Sequence, residues 1–298
     1  MQLRHLKTFV AVAATLNVTR AAERIHLAQS SVTEQIQALE AELGAALFDR
    51  SPRGLRLTEA GRRLLGYAGS MLSLAEEARA AVADTAARTA GELEIGGLET
   101  LCAAWLPPLL AAFRRRHPAV ALHVRSAGSG ALRAAVGRSE LDVCFVFGED
   151  GFGPGVQSEP LARERLAVIV PPGHRLAGRR AVSAADLAGE PFLATEPGCV
   201  YRRMFEDAFP AGDPHRPPLA AELGSLTAAC ALVEAGLGCA LVPRLAVDGA
   251  RRLAVLAWPD APEVAIAMAW RRRRVQAPAL RRFIEAAREH VRLPEACA

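Results

Sequence analysis

Residues Asn17 to Thr58, NVTRAAERIHLAQSSVTEQIQALEAELGAALFDRSPRGLRLT, decide how the whole chain is read. The stretch divides into two helices, a tight turn between them and a short hairpin. Thr19 is placed to cap the first helix, in which Ala21, Ala22 and Ile25 recur at helical spacing. His26 and Leu27 fall in the turn. The second helix opens near Gln29 or Ser30, and Val32, Ile36, Leu39 and Leu43 form its apolar stripe. Its solvent edge carries Gln29, Ser30, Thr33, Glu34 and Gln37, and Gly44 stops it.

Two short helices crossing around small residues make a helix-turn-helix unit, whose second helix enters a DNA major groove. Gln and Ser/Thr side chains read base edges or grip phosphates, and they let the backbone come close. Phe48 to Arg50 and Leu55 to Leu57 alternate like strands around Ser51-Pro52-Arg53-Gly54, which is a turn-forming cluster. That hairpin is a wing whose arginines can meet phosphates or a minor groove. A structural three-helix subdomain with a charged rim would also explain the helices, but not the basic hairpin. Candidate DNA contacts are Thr19, Arg20, Gln29, Ser30, Ser31, Thr33, Gln35, Gln37, Arg50, Arg53 and Arg56.

Leu6 to Ala13, Thr19 to His26, Gln35 to Gly44, Leu47 to Arg50 and Leu57 to Gly61 together resemble the DNA-binding domain of the LysR-type transcriptional regulators. The match is dense and collinear. Two departures stand out. Ala28 occupies the place where the family usually opens its recognition helix with Ser or Thr, so Ser30 or Ser31 is left to cap a shorter helix, and Ser31-x-x-Glu34 fits a capping box. Glu34 stands where the family commonly has Arg or Lys, which removes one phosphate contact.

The 298 residues correspond to about two domains, and a 51% hydrophobic share supports a sizeable core. A formal charge of +4 is compatible with nucleic acid without requiring it. Met1 to His5 run straight into an amphipathic helix with no signal-peptide core, and no stretch is apolar and long enough to span a bilayer. The expected location is the cytoplasm, with no membrane partner and reduced cysteines at 102, 144, 199, 230, 239 and 297. These show no C-x-x-C pair and no His–Cys spacing suited to zinc; Cys144 and Cys239 lie in apolar runs and read as inert core thiols. Without a nucleophile elbow, metal spacing or dinucleotide loop, no enzymatic activity, metal or cofactor is expected.

From Thr58 a helix is expected to continue to about Thr89, with Leu64, Ala68, Met71, Ala75, Ala78 and Val82 as a coiled-coil seam. One small winged domain cannot cover so long a stripe. Pairing with a second copy would, giving a homodimer, or a homotetramer, on a pseudo-palindromic operator. Beyond Gly91 the pattern alternates strand and helix, implying mainly parallel sheets in two sets, without an alignable internal repeat. The fold class is therefore α/β. Its parts are an N-terminal winged helix-turn-helix (residues 1–58), a linker and dimerisation helix (59–90) and a two-subdomain effector domain (91–298). Subdomain I takes about residues 91–161 and 264–298 and subdomain II about 162–263, with crossovers near Ala162 and Glu263. This half resembles the LysR-type effector domain, itself similar to periplasmic solute-binding proteins, in Leu106 to Phe113, Glu140 to Val143, Gly224 to Leu226 and Val233 to Pro243.

Ligands of parallel α/β sheets bind beyond the carboxyl ends of strands, where helix N-termini offer free N–H groups. Strand-to-helix turns at Thr100, Ser129, Cys199 and Ser225, with Thr227 one turn on, carry small or polar residues. The resemblance places Thr100 and the turns at Cys199–Tyr201 and Ser225–Thr227 in the effector pocket. Candidate effector contacts are Thr100, Ser129, Phe147, Cys199, Tyr201, Arg202, Ser225 and Thr227, with Arg202 or Arg203 as counter-charge to a small, polar or anionic effector. Peroxide-sensing members of the family carry a cysteine in this region with a resolving partner shortly after it. Ala208 stands at that place here and the next cysteine is Cys230, so the resemblance implies that Cys199 packs or touches ligand and does not switch redox state. The resemblance thus implies a DNA-binding transcription regulator under small-molecule control, with RNA polymerase as a further partner. The competing function is a small-molecule-binding module or enzyme-like α/β domain with an accessory helical domain.

Overall fold

The computed structural model describes residues 1–51, 54–83, 91–247, 252–259, 261–273 and 276–292. They fall into two compact units, one built on the first 88 residues and the other on most of the remainder.

In the first unit α1 (Leu3–Thr15) buries Leu6, Phe9 and Val12 on one stripe. Leu16 then turns the chain out of the helix in the left-handed region, at φ 46°. Helix α2 (Val18–Arg24) is capped by Asn17, whose side chain accepts the Arg20 N–H at 3.0 Å. This corrects the expected Thr19 cap. Asn17 has the extended backbone that a cap requires, whereas Thr19 already lies inside the helix. Helix α3 (Gln29–Leu43) begins after an uncapped Ala28, so neither Ser30 nor Ser31 caps it. Val32, Ile36 and Leu39 are buried, but Leu43 is exposed where the stripe drifts off the core. Gly44 ends the helix at φ 65°.

The wing is β1 (Phe48–Ser51) paired antiparallel with β2 (Gly54–Leu57), with Asp49 opposite Arg56. Glu40 of α3 fastens it: one carboxylate oxygen accepts the Leu47 and Phe48 N–H groups at 2.7 and 3.2 Å. Nothing in the hydrophobic pattern signals this contact. Glu40→Ala leaves two part-buried donors unpaired and should cost about 1–3 kcal/mol, whereas Glu40→Gln, which keeps an acceptor oxygen, should recover most of it. The midpoint of the helical circular-dichroism transition checks both.

Thr58 closes the wing by donating to Ala46 O at 2.7 Å, and caps the next helix by accepting Gly61 N–H at 3.0 Å. That helix, α4 (Glu59–Ala83), uses Leu64, Leu65, Ala68 and Leu72 to complete the winged core. The expected seam is therefore wrong in part. Leu64 and Ala68 are spent on their own domain, while Tyr67, Met71 and Leu74 on the other face are 68%, 38% and 66% exposed. The expected continuation of the helix to Thr89 and the side chain of Val82 lie outside what is described.

The second unit opens with β3 (Gly91–Gly97), a single π-turn (Leu101–Trp105) and α5 (Leu106–Arg116). Then come β4 (Val120–Ser126), α6 (Ser129–Gly137), β5 (Val143–Phe147), β6 (Val156–Glu164) and β7 (Leu166–Val170). Next are α7 (Ala184–Leu187), β8 (Phe192–Thr195), α8 (Val200–Ala208), β9 (Leu219–Leu223), α9 (Leu226–Glu234) and β10 (Ala240–Pro243). Last among the described elements are β11 (Ala254–Ala257), β12 (Val264–Arg271) and α10 (Pro278–Arg292).

The first sheet runs β4-β3-β5-β12-β6, with β3, β4 and β5 parallel and β12 antiparallel to both of its neighbours, β5 and β6. In the second half β10-β7-β11 and β8-β9 are linked by a bridge from Phe192 to Cys239, giving the order β9-β8-β10-β7-β11. One topology thus occurs twice, although no repeat is legible in the residues. Strands β6 and β11 are absent from the sequence reading. Pro160 argues against a strand, yet it is tolerated because β6 is an edge strand with a register shift beside that residue. Because β6 runs to Glu164 and β7 starts at Leu166, the first crossover is at Arg165, a little beyond the expected Ala162. The return passes Glu263, and Arg165 Nε reaches its carboxylate at 3.3 Å.

Candidate nucleic-acid interface and ligand cleft

On α3 the exposed edge consists of Gln29, Ser30, Glu34 and Gln37, with Ser31 and Thr33 half-buried beside it. Thr33 donates its hydroxyl to Gln29 O at 3.0 Å, and Thr19 donates to the Gln29 side chain at 3.3 Å. Gln29 is therefore steadied at the first turn. Gln35 is turned inward instead: its side-chain oxygen accepts the Thr8 hydroxyl at 2.7 Å and ties α3 to α1. This corrects its assignment as a DNA contact. Arg20 and Arg56 are exposed. The side chain of Arg50 and all of Arg53 lie outside the described residues.

In the second unit a cavity of about 370 Å³ opens where the starts of α6, α8 and α9 converge. Of the candidate effector contacts, Ser129, Cys199, Tyr201 and Ser225 line it. Cys199 is the first flanking residue of α8, and Ser225 caps α9 through the Ala228 N–H. The other expected residues act from behind. Thr100 and Tyr201 share a buried hydroxyl–hydroxyl hydrogen bond of 2.7 Å across the cleft, and Phe147 meets the Tyr201 ring edge-on at 6.1 Å. Burial pushes the Tyr201 hydroxyl up to about 12, so it stays protonated. Thr227 donates to Glu99 at 2.9 Å, forming a second, exposed latch.

Arg202 does not face the cavity. Its guanidinium pairs with Glu222 at 2.7 Å and Glu206 at 2.8 Å and donates to Thr195 O at 3.3 Å. A counter-charge role for it is withdrawn, and Arg203 is exposed and not among the lining residues. Glu99 and Thr195 are among the lining residues that the sequence reading does not include. Glu99 puts a carboxylate on the rim, and Thr195, 2% exposed, offers a buried hydroxyl without a hydrogen-bond partner among the described residues. A lone Thr inside an apolar strand gives no signal of this kind.

Among the described residues no helix is long and apolar enough to cross a membrane. The bacterial regulatory helix-turn-helix family of lysR type matches residues 3–62, and the LysR substrate binding domain matches residues 86–292. The transcriptional regulator YwqM of Bacillus subtilis is 32% identical over 293 residues, covering 97% of this chain and 99% of its own. A full-length OxyR from Pseudomonas aeruginosa superposes with a TM-score of 0.80 at 26% identity, over 99% of this chain and 96% of that one. Full-length CbnR complexed with its target DNA superposes at 0.66 with 29% identity, over 97% of this chain and all of that one. Helix pair, wing and twin-sheet cleft thus occur together in the order these proteins share, and the chain belongs to the LysR family of DNA-binding transcription regulators, which are not enzymes.

Proposed function

We propose that this regulator binds a pseudo-palindromic operator as a homodimer or homotetramer and takes a small polar acid as its effector. Residues 1–58 read DNA, residues 59–90 pair the copies and residues 91–298 hold the effector. On α3 the uncapped first turn leaves backbone N–H groups free for a phosphate, beside Ser30 and Ser31. Gln29, Thr33 and Gln37 read bases, with Thr19, Arg20, Arg50, Arg53 and Arg56 on the backbone. Arg56→Ala should weaken binding to every duplex and lower the salt slope by about 1, whereas Gln37→Ala should relax sequence preference at one position. Fluorescence-anisotropy titrations across salt check both, and an Arg56 effect confined to one sequence would overturn the wing assignment.

The convergence of three helix starts on one cavity carries the effector reading. Ser129, Ser225, Thr195 and the free N–H groups would hold an oxyanion without any guanidinium, and Glu99 on the rim excludes large polyanions. Effector binding would bias closure about the Arg165 and Glu263 crossovers, and with it the setting of the winged units presented to operator and RNA polymerase. A thermal-shift screen of small carboxylates against their amides tests this. Acids should stabilise the protein, and the shift should fall in Ser225→Ala and Thr195→Val. Amides acting equally well would overturn the anionic reading.

The Thr100–Tyr201 hydrogen bond gives a further expectation. Tyr201→Phe strands the buried Thr100 hydroxyl and should cost about 1–3 kcal/mol. The double variant with Thr100→Val should recover part of that loss in a double-mutant cycle.

A further inference from the structure

Outside both sites, three turns of the second half bring unlike donor atoms together. His174 lies in the turn after β7, Glu190 follows α7 and Cys239 precedes β10. His174 Nε2 is 2.9 Å from a Glu190 oxygen and 3.8 Å from Cys239 Sγ, and all three donors lie within 4.8 Å of one another. Cys239 is fully buried, and the His174 and Glu190 side chains are 16% and 13% exposed.

The backbone holds these groups in place. Cys239 N–H donates to Pro191 O at 2.7 Å, and its carbonyl accepts Leu193 N–H at 2.7 Å. Gly238 allows that approach, because a Cβ there would lie 2.4 Å from Pro191 O. Arg175 grips the other Glu190 oxygen at 2.5 Å and Asp186 O at 2.8 Å, which fixes the carboxylate with one oxygen aimed at His174.

We propose that His174, Glu190 and Cys239 form a binding site for a zinc-like divalent cation, with water as the fourth ligand. Imidazole nitrogen, thiolate and carboxylate together suit a borderline-soft ion in tetrahedral geometry. Bonds of about 2.0–2.3 Å imply donor separations of roughly 3.3–3.6 Å. The two His174 separations reach these by shifts of a few tenths of an ångström from 2.9 and 3.8 Å, and the Glu190 oxygen and Cys239 Sγ, within 4.8 Å of each other, close on the ion by side-chain rotation.

Proton balance is simple. Leu176 N–H donates to His174 Nδ1 at 3.3 Å, so the neutral ring carries its proton on Nε2. When the ion binds, that proton moves to Nδ1 at the expense of the long Leu176 contact, and the thiol proton leaves to solvent. One proton is released per ion, with no change of oxidation state. The buried thiol gives up its proton as the cation arrives, because thiolate is the form that ligates.

The test is titration of metal-free full-length protein with Co²⁺, followed by Zn²⁺. One equivalent per chain should produce a thiolate-to-cobalt charge-transfer band with tetrahedral visible bands, which Zn²⁺ removes. His174→Gln and Cys239→Ser should each weaken binding at least tenfold, and calorimetry in buffers of different ionisation enthalpy should count one proton released. Cys239→Ala serves if the serine variant does not fold. A wild-type protein without a thiolate band, or a Cys239 variant that keeps the band at full strength, would overturn the site.

Discussion

Gly61→Ala should abolish operator binding while leaving the effector half folded. Gly61 sits in the first turn of α4, where an added Cβ would lie 2.2 Å from Leu47 O and 2.8 Å from a Leu57 methyl. Neither neighbour is free to yield. Leu47 O accepts the Thr58 N–H at 3.0 Å, and Leu47 is 1% exposed in the winged core. Relief therefore requires α4 to lift off the hairpin, which also disturbs the Thr58 cap. The expected cost is about 3 kcal/mol or more, a large share of what a small domain possesses. Gly66→Ala is the control. Gly66 has nothing within 4 Å and lies inside α4, so alanine there should stabilise the helix by up to about 1 kcal/mol. Two spectroscopic probes separate the halves, because Trp105, Trp258 and Trp270 all lie in the second unit. In Gly61→Ala the tryptophan-fluorescence transition should stay at its wild-type midpoint while helical ellipticity is lost earlier. Wild-type operator affinity in this variant would show that the contact relaxes cheaply and that the winged unit tolerates a displaced α4.

What could be read in the residues depended on how far along the chain the physics reaches. The helix pair and wing are legible because stripe, turn and hairpin are local patterns, and Val32, Ile36 and Leu39 are buried as their spacing requires. Caps are decided by a competition between neighbours. Asn17 and Thr19 can both cap, and the extended backbone at Asn17 settles the choice. The role of Arg202 is hidden in the sequence for another reason. Along the chain it is a cation at a helix start, but Glu222 from β9 comes within 2.7 Å and takes up its charge. Gln35, Glu40 and Thr195 show the same limit. Their partners, or the lack of one, are fixed by tertiary placement that no periodicity records. The duplicated sheet order is likewise invisible, since topology can persist after residue identity has diverged. His174, Glu190 and Cys239 meet only because three separate turns converge, with no sequence spacing to announce it.

Met71→Glu combined with Leu74→Glu should convert the protein to monomers and lower operator affinity by about a hundredfold or more. The helix α4 has two apolar faces with different uses. One is consumed by the winged core through Leu64, Leu65, Ala68 and Leu72. The other presents Tyr67, Met71, Leu74 and Ala78 at spacings of four, three and four, and all four are exposed. That interval is the heptad repeat of a two-helix seam. Two large aliphatic side chains and a tyrosine left in water are worth about 1.5–3 kcal/mol each on burial, and two-fold symmetry doubles the sum. Replacing the central pair with carboxylates removes that gain and sets like charges against each other across the seam. Each winged unit then binds its half-site alone, losing the effective concentration supplied by its partner. Sedimentation velocity and titration of full and half operators measure both consequences. Half-site affinity should be nearly unchanged while full-site affinity collapses towards it. If the face were ordinary solvated surface, the substitutions would stay within about 0.5 kcal/mol. A dimeric double variant with intact full-site affinity would move the pairing surface off α4.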